Sequence, residues 1–281
     1  MKNLLSLMLL MLIGFTAFAQ EQEVVEDLPV DATFDATTLM DNQTVMSPYA
    51  GGLEFNILHR FGTVKNGISD IYGIYAPSNI RMGFNYGITE KIMVGIGSTK
   101  DYKLQDLQWK YAILRQTQSG KMPVSLSYYG NAVLDARAKD AFGPEAQYRS
   151  IHRFSYFSQL IVARKLNEKI SLQVAPGFIY YNAVEEGLKN ANFSIHAGAR
   201  AKVIGYHSIL LEYDQLLTKQ DIEVQPKPNL SLGYEIGTGT HAFQIFVANY
   251  SGIINQRNLL YNTNDFTKGE FLFGFNITVR F

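Results

Sequence analysis

The sequence predicts an antiparallel transmembrane β-barrel of about twelve strands. Three observations carry that reading. From Leu53 to the C-terminus, apolar and polar residues alternate with period two in one segment after another. The links between those segments take turns, short then long. The polar side of the alternation is rich in Gly, Ser and Asn and sparse in charge, which suits the inside of a barrel in lipid better than a surface facing water. A soluble sandwich or a lipocalin-like barrel also alternates. Such a fold would need a large apolar filling and a charged outer sheath, and the pattern offers neither.

Composition narrows the function classes. The chain has 281 residues, 25 Lys+Arg against 25 Asp+Glu, and 47% hydrophobic residues. It is too apolar for a disordered chain and too neutral for a general nucleic-acid binder, so no nucleic-acid partner is expected. It has 18 Phe and 17 Tyr but 1 Trp and no cysteine, which excludes a disulfide scaffold, a thiolate metal site and a cysteine nucleophile.

Residues 1–19 read as a secretory signal peptide. Lys2 supplies the positive start, an apolar run follows, and Ala17-Phe18-Ala19 gives a small-x-small cleavage site. Residues 20–50 read as an acidic periplasmic arm or linker. Between Glu21 and Val45 lie seven acids (Glu21, Glu23, Glu26, Asp27, Asp31, Asp35, Asp41) and no Lys or Arg. With few apolar residues and no alternation, the arm is expected to be solvated and flexible.

The barrel is assigned to residues 51–281. Its clearest strand is the last: Phe273, Phe275, Ile277, Val279 and Phe281 alternate with Gly274, Asn276, Thr278 and Arg280. The same pattern marks strands at 53–57, 80–88, 92–96, 107–113, 124–128, 154–162, 170–180, 193–203, 209–213, 230–236 and 243–247. Short links fall at 89–91, 117–121, 166–169, 204–207 and 237–240, and longer ones at 62–78, 135–151, 182–190, 218–228 and 251–267. The link after Ser98 is short where the rhythm calls for a long one. In lipid every backbone N–H must be bonded internally, so such a sheet must close. Tyr residues on the apolar side suit interfacial girdles. Phe281 is the expected insertion signal, the terminal aromatic that barrel-insertion machinery reads.

Three motifs add a family resemblance. They are Leu53–Gly62 (LEFNILHRFG), Asn79–Thr89 (NIRMGFNYGIT) and Lys110–Gln116 (KYAILRQ). The chain resembles a family of bacterial outer-membrane β-barrels whose domain has no assigned function. The resemblance is sharpest between Leu53 and Gln116 and continues downstream as pattern. It implies a signal peptide, a Gram-negative outer-membrane location and no assigned activity, and it brings no catalytic residues to carry over.

No chemistry stands out in the motifs. The histidines His59, His152, His196, His207 and His241 show no zinc-site spacing, and neither a nucleophile elbow nor a P-loop occurs. No catalytic residue, cofactor or metal is expected. The lumen is the suggestive surface. By register, Arg81, Lys110, Arg153, Arg200, Lys202 and Arg280 point inward, with Glu54, Glu212, Asp214, Glu235 and His196. Inward Tyr129, Phe157, Ile179 and Tyr181 favour a narrow or filled bore over an open one. These features suggest a porin-like, narrow channel for small polar or anionic solutes. The alternative is a non-conducting scaffold that docks a periplasmic partner through its acidic arm. Outer-membrane lipid is the other expected partner.

Overall fold

The computed structural model describes residues 27–143 and 147–281. The expected signal peptide and the first residues of the arm lie outside the described residues. Twelve antiparallel strands form one closed barrel, each paired with its sequence neighbours and the first with the last. They are β1 (Leu53–Thr63), β2 (Asn79–Gly87), β3 (Ile92–Thr99), β4 (Leu104–Leu114), β5 (Ser125–Asp135), β6 (Phe154–Lys165), β7 (Ile170–Tyr181), β8 (Ala191–Ile204), β9 (His207–Leu216), β10 (Asn229–Gly237), β11 (His241–Ala248) and β12 (Leu272–Arg280). Closure removes the unpaired edge that an open sheet would expose to lipid. At the seam Glu54 faces Arg280 and Phe55 faces Val279. Phe281 continues it by exchanging backbone hydrogen bonds with Leu53, at 2.8 and 3.2 Å.

The alternation is realised as read. Met82, Phe84, Ile96, Leu107, Leu232 and Ile245 stand exposed on the outer face. Their strand neighbours Arg81, Asn85, Asp106, Gln108, Ser231 and Gln244 are buried on the inner face. Exposed tyrosines lie at two levels. Tyr86, Tyr111 and Tyr234 sit toward the end that carries the short turns, and Tyr156, Tyr180 and Tyr213 toward the end that carries the long loops. That is the placement a membrane's two interfaces favour. Among the described residues no helix is long and apolar enough to cross a membrane. Both termini of the barrel lie at the short-turn end. The link between β3 and β4 is the short one at the long-loop end, and it does not change the strand count.

The inside differs from expectation. The arm was expected to be solvated, yet Thr33, Phe34 and residues 36–44 are buried. The chain first runs along the β4–β5 turn, where the Val30 N–H donates to the Gln116 carbonyl at 2.9 Å. It then enters the bore and folds back. Thr44 N donates to Thr37 O at 2.8 Å and Leu39 N to Asn42 O at 2.9 Å, so residues 37–44 form a hairpin with Met40 and Asp41 at its tip. From the other end the β11–β12 loop drops inward and carries a short helix, α1 (Asn255–Leu260), with all but Arg257 buried. The two insertions meet where Asn258 Nδ2 donates to Asp41 Oδ2 at 2.7 Å.

Apolar packing holds both in place. Phe34, Leu39 and Met40 pack against Leu210, Phe246, Tyr250 and Leu272. Leu259 and Leu260 of α1 pack against Tyr129, Phe157, Ile161 and Ile179. The inward bulky residues thus fill the upper bore, while Tyr181 is only partly buried at its rim. The chain leaves the bore through a turn at 48–51 that presses on β2. A Cβ added to Gly87 would lie 2.1 Å from the Tyr49 carbonyl oxygen and 2.6 Å from that of Pro48. Backbone cannot give way as a side-chain tip can. Gly87→Ala is therefore expected to cost about 1–3 kcal/mol of stability, read as a lower midpoint in heat-modified gel mobility.

Candidate functional site

The wall residues that meet the hairpin form the candidate site. Period-two strand geometry places them: even-numbered residues of β1, β4, β8, β9, β11 and β12 and odd-numbered residues of β2 share the inner face. The acceptor that grips the tip is Glu212, whose Oε2 and Oε1 receive the consecutive backbone N–H groups of Asp41 and Asn42, each at 2.9 Å. Two adjacent amides on one carboxyl group define the height and orientation of the tip. Asn42 Nδ2 donates to Asp214 Oδ1 at 2.6 Å.

On the opposite wall Arg60 is wholly buried. Its Nη2 donates to the Met40 carbonyl at 2.7 Å and lies 3.7 Å from Asp41 Oδ1. Its Nη1 donates to Asn276 Oδ1 at 2.9 Å, and its Cζ stands 4.5 Å from the Phe246 ring centroid. Asn276 returns its own Nδ2 to Met40 O at 2.8 Å and to Gln244 Oε1 at 2.7 Å. Lower in the bore Lys110 Nζ donates to Met46 O at 2.6 Å, and Thr37 donates to Glu54. Arg200 pairs with Asp35, in the segment leading into the hairpin, and with Glu235, the latter at 3.3 Å. Arg280 joins Glu54 at 3.4 Å and donates to the Asp35 carbonyl.

Two glycines shape the cradle. A Cβ on Gly198 would lie 2.6 Å from Leu39 Cδ1, and one on Gly233 would lie 2.8 Å from Met40 Sδ. Small residues on the polar face therefore leave space for the hairpin's side chains.

Of the residues singled out by register, Glu54, Arg81, Lys110, His196, Arg200, Glu212, Asp214 and Glu235 are buried on the inner wall. Arg280 is half-buried there, and Lys202 is exposed at the short-turn rim, bordering a cavity of about 550 Å³ between hairpin and wall. Arg153 differs. It ends the loop turn before β6 and lines a separate cavity at the long-loop mouth. Register also missed partners. Arg81 is forked on Asp106, Nε to Oδ1 at 2.9 Å and Nη2 to Oδ2 at 2.6 Å. Arg60 and Asp106 share the inner face with residues that were chosen, so the same even register would have found both. Asp35, Asp41 and Asn42 left no local signal.

His196 is not a lone wall residue. Its Nε2 lies 3.0 Å from Ser194 Oγ and its Nδ1 3.0 Å from Asp214 Oδ1, the contacts of a nucleophile relay. Strand geometry produces this: Ser194 and His196 are i and i+2 on β8, and His196 faces Asp214 across the β8–β9 ladder. A relay also needs a place for the reacting atom. Ser194 is 1% exposed, and it borders neither the cavity beside the hairpin nor the one at the long-loop mouth. Asp214 is already bonded to Asn42. The chain of bonds acts as a strut that aims Asp214 at the hairpin. Among the described residues no group of three or more His, Asp and Glu side chains is placed to hold a metal ion.

Comparisons with known proteins agree with this architecture. The family model described as "Membrane bound beta barrel domain (DUF5777)" matches residues 34–281. No curated protein matches the chain. Among solved structures, the NanC porin is similar over 81% of this chain and 98% of its own, at 8% identity and a TM-score of 0.51. The COG4313 outer membrane channel from Pseudomonas putida F1 is similar over 84% of this chain and 97% of its own, at 10% identity and a TM-score of 0.52. At these identities the likeness is one of fold. The family match covers the whole barrel and begins just before the hairpin, so the chain belongs to that family of membrane-bound β-barrels.

Proposed function

We propose that this member of the membrane-bound barrel family is a plugged channel of the outer membrane, closed at rest by its own N-terminal hairpin. The observation that carries the reading is the grip of the wall on the hairpin tip, through Glu212, Asp214, Arg60 and Asn276. Two features make the plug one that can leave. The grip on its tip is polar, so water can replace those bonds. Asn42 Oδ1, Gln43 Oε1 and Asn258 Oδ1 are also buried without a hydrogen-bond partner among the described residues, a cost that hydration would relieve. The match of the family model to the hairpin region supports a role shared by the family's domain.

Small polar solutes are the class that the polar wall suits. When the hairpin leaves it takes Asp35 and Asp41 with it. Arg60, Arg81, Lys110, Arg200 and Arg280 then face Glu54, Asp106, Glu212, Asp214 and Glu235, equal in number. A balanced wall carries little preference for anions, which weakens the anionic solute class suggested by the register reading alone. The long loops face outward from the cell in this reading, and the short turns face the periplasm.

The test is conductance in a planar bilayer. The mature chain is expected to stay silent. Gly198→Leu/Gly233→Leu, which fills the two hollows that Leu39 and Met40 occupy, is expected to give discrete steps. Steady steps from the unaltered chain would overturn the plug. The apolar packing of Leu259 and Leu260 favours one second reading, a barrel that never conducts. That reading predicts a silent Gly198→Leu/Gly233→Leu variant even when Thr44→Cys shows, by thiol labelling, that its hairpin has been displaced.

A further inference from the structure

The long-loop mouth carries a second arrangement, independent of the plug. Loops from three parts of the chain bring arginines and aromatic rings around a cavity of about 320 Å³. Arg257 of α1 stands 3.8 Å from the Tyr102 ring centroid and 3.9 Å from that of Tyr261. Arg137 stands 4.2 Å from Tyr102 and 5.6 Å from Phe142. Arg153 stands 4.8 Å from Phe142 and 5.3 Å from Tyr148. Ring and guanidinium therefore alternate along the mouth, and each guanidinium is set against two rings. Stacking occupies the flat faces of a guanidinium. Its N–H donors lie in the plane and stay free for an oxyanion.

The donors are unequally used. Arg137 is forked on Asp135, Nε at 3.0 Å and Nη2 at 2.6 Å, so its charge is matched. Arg153 gives Nε to the Tyr148 hydroxyl at 2.5 Å and Nη1 to the Asp135 and Arg137 carbonyls at 2.8 and 2.5 Å. Arg257 gives Nη2 to the Tyr102 hydroxyl. Among the described residues neither Arg153 nor Arg257 forms an ion pair, whereas Arg137 does. Glu185, the other acid of the cavity, already accepts from the Tyr261 hydroxyl at 2.5 Å. The positive field is felt nearby: the Arg153 hydrogen bond holds the Tyr148 phenol below its ordinary value. Opposite the charges the wall turns apolar, with Leu104, Val133 and Ile254 packed together.

We propose that this cavity binds a small water-soluble molecule that carries a carboxylate or phosphate on a ring. The oxyanion takes the free donors of Arg153 and Arg257, and the ring lies against Leu104, Val133 and Ile254. The cavity's size is at the low end for a ligand pocket, which restricts the occupant to a single ring. Leu104, Val133 and Ser155 belong to the inner face of their strands, so the ligand comes from solution and not from the lipid on the other side of the wall.

Calorimetric titration of the folded barrel in detergent tests this, with phenyl phosphate, inorganic phosphate and phenol as probes at low salt. Phenyl phosphate is expected to bind saturably and more tightly than either fragment. Arg257→Gln and Arg153→Gln are each expected to weaken it about tenfold or more. Lys65→Gln removes a charge from an exposed loop pair with Glu270 at the same end and is expected to leave binding unchanged. Equal binding of phosphate and phenyl phosphate would overturn the ring half of the proposal. Equal loss in all three variants, or no saturable binding, would overturn the site. If one arginine variant does not fold, the other and the three-probe series on the unaltered chain still decide.

Discussion

Arg60→Ala is expected to lower the barrel's unfolding free energy by about 3–5 kcal/mol, the usual penalty for breaking a buried charged contact from one side. The guanidinium is wholly buried and serves two elements at once. It donates to Met40 O of the hairpin at 2.7 Å and to Asn276 Oδ1 of β12 at 2.9 Å. Truncation leaves Asp41 beside the Glu212 and Asp214 carboxyl groups with no cation on its side of the bore. It also opens a hollow under the Phe246 ring. Arg60→Lys keeps a charge but loses the fork that spans two acceptors, so an intermediate loss is expected. A cycle with Asp41→Asn separates the two contributions. If Arg60 acts through the hairpin tip, the double variant is less damaged than the sum of the singles. Urea unfolding followed by Trp109 fluorescence reads the result. A loss below about 1 kcal/mol, within the range of exposed pairs, would mean that the hairpin does not depend on this contact.

The barrel was legible because strand alternation is a property of the chain itself. Phe273, Phe275 and Ile277 face out and Gly274, Asn276 and Thr278 face in whatever else the molecule does, since successive side chains on a strand alternate. The family resemblance drawn from the motifs between Leu53 and Gln116 agrees with the family that matches 34–281. The inner-wall residues followed from the same period. Arg153 did not, because its strand starts one residue later, at Phe154, and a residue in a turn has no inward register.

The hairpin was not legible. The segment from Asp35 to Thr44 has no alternation and no glycine to mark its turn, and its acids resemble those of a solvated tail. What buries it is a set of partners between about 160 and 240 positions away, Arg200, Glu212, Asp214 and Asn276. No local pattern encodes such pairing. The arginines of the mouth are equally silent in sequence. Arg137, Arg153 and Arg257 come together only because two separate loops converge over the same end of the barrel. Charge counting was misleading for a related reason: six inward bases appeared to outnumber four acids, and the hairpin with Asp106 supplies the missing acids.

Glu212→Ala is expected to free the hairpin tip from the wall. The two amides that lose their acceptor, Asp41 N and Asn42 N, are adjacent and buried, and each unsatisfied donor costs about 1–3 kcal/mol. Removing a carboxyl group next to Asp214 offsets part of this. The two together cost about 2–6 kcal/mol, and after the offset a net of about 2 kcal/mol is expected, roughly a thirtyfold rise in the displaced population. Because the chain has no cysteine, Thr44→Cys places a single thiol on a fully buried hairpin position. Its labelling rate by a charged reagent should rise by that factor in the Glu212→Ala background. Glu212→Gln keeps one carbonyl acceptor and should show a smaller rise. An unchanged rate in a correctly folded Glu212→Ala barrel would place the grip elsewhere, in the apolar contacts of Leu39 and Met40. The bore would then be closed by packing rather than by a bond that water can replace.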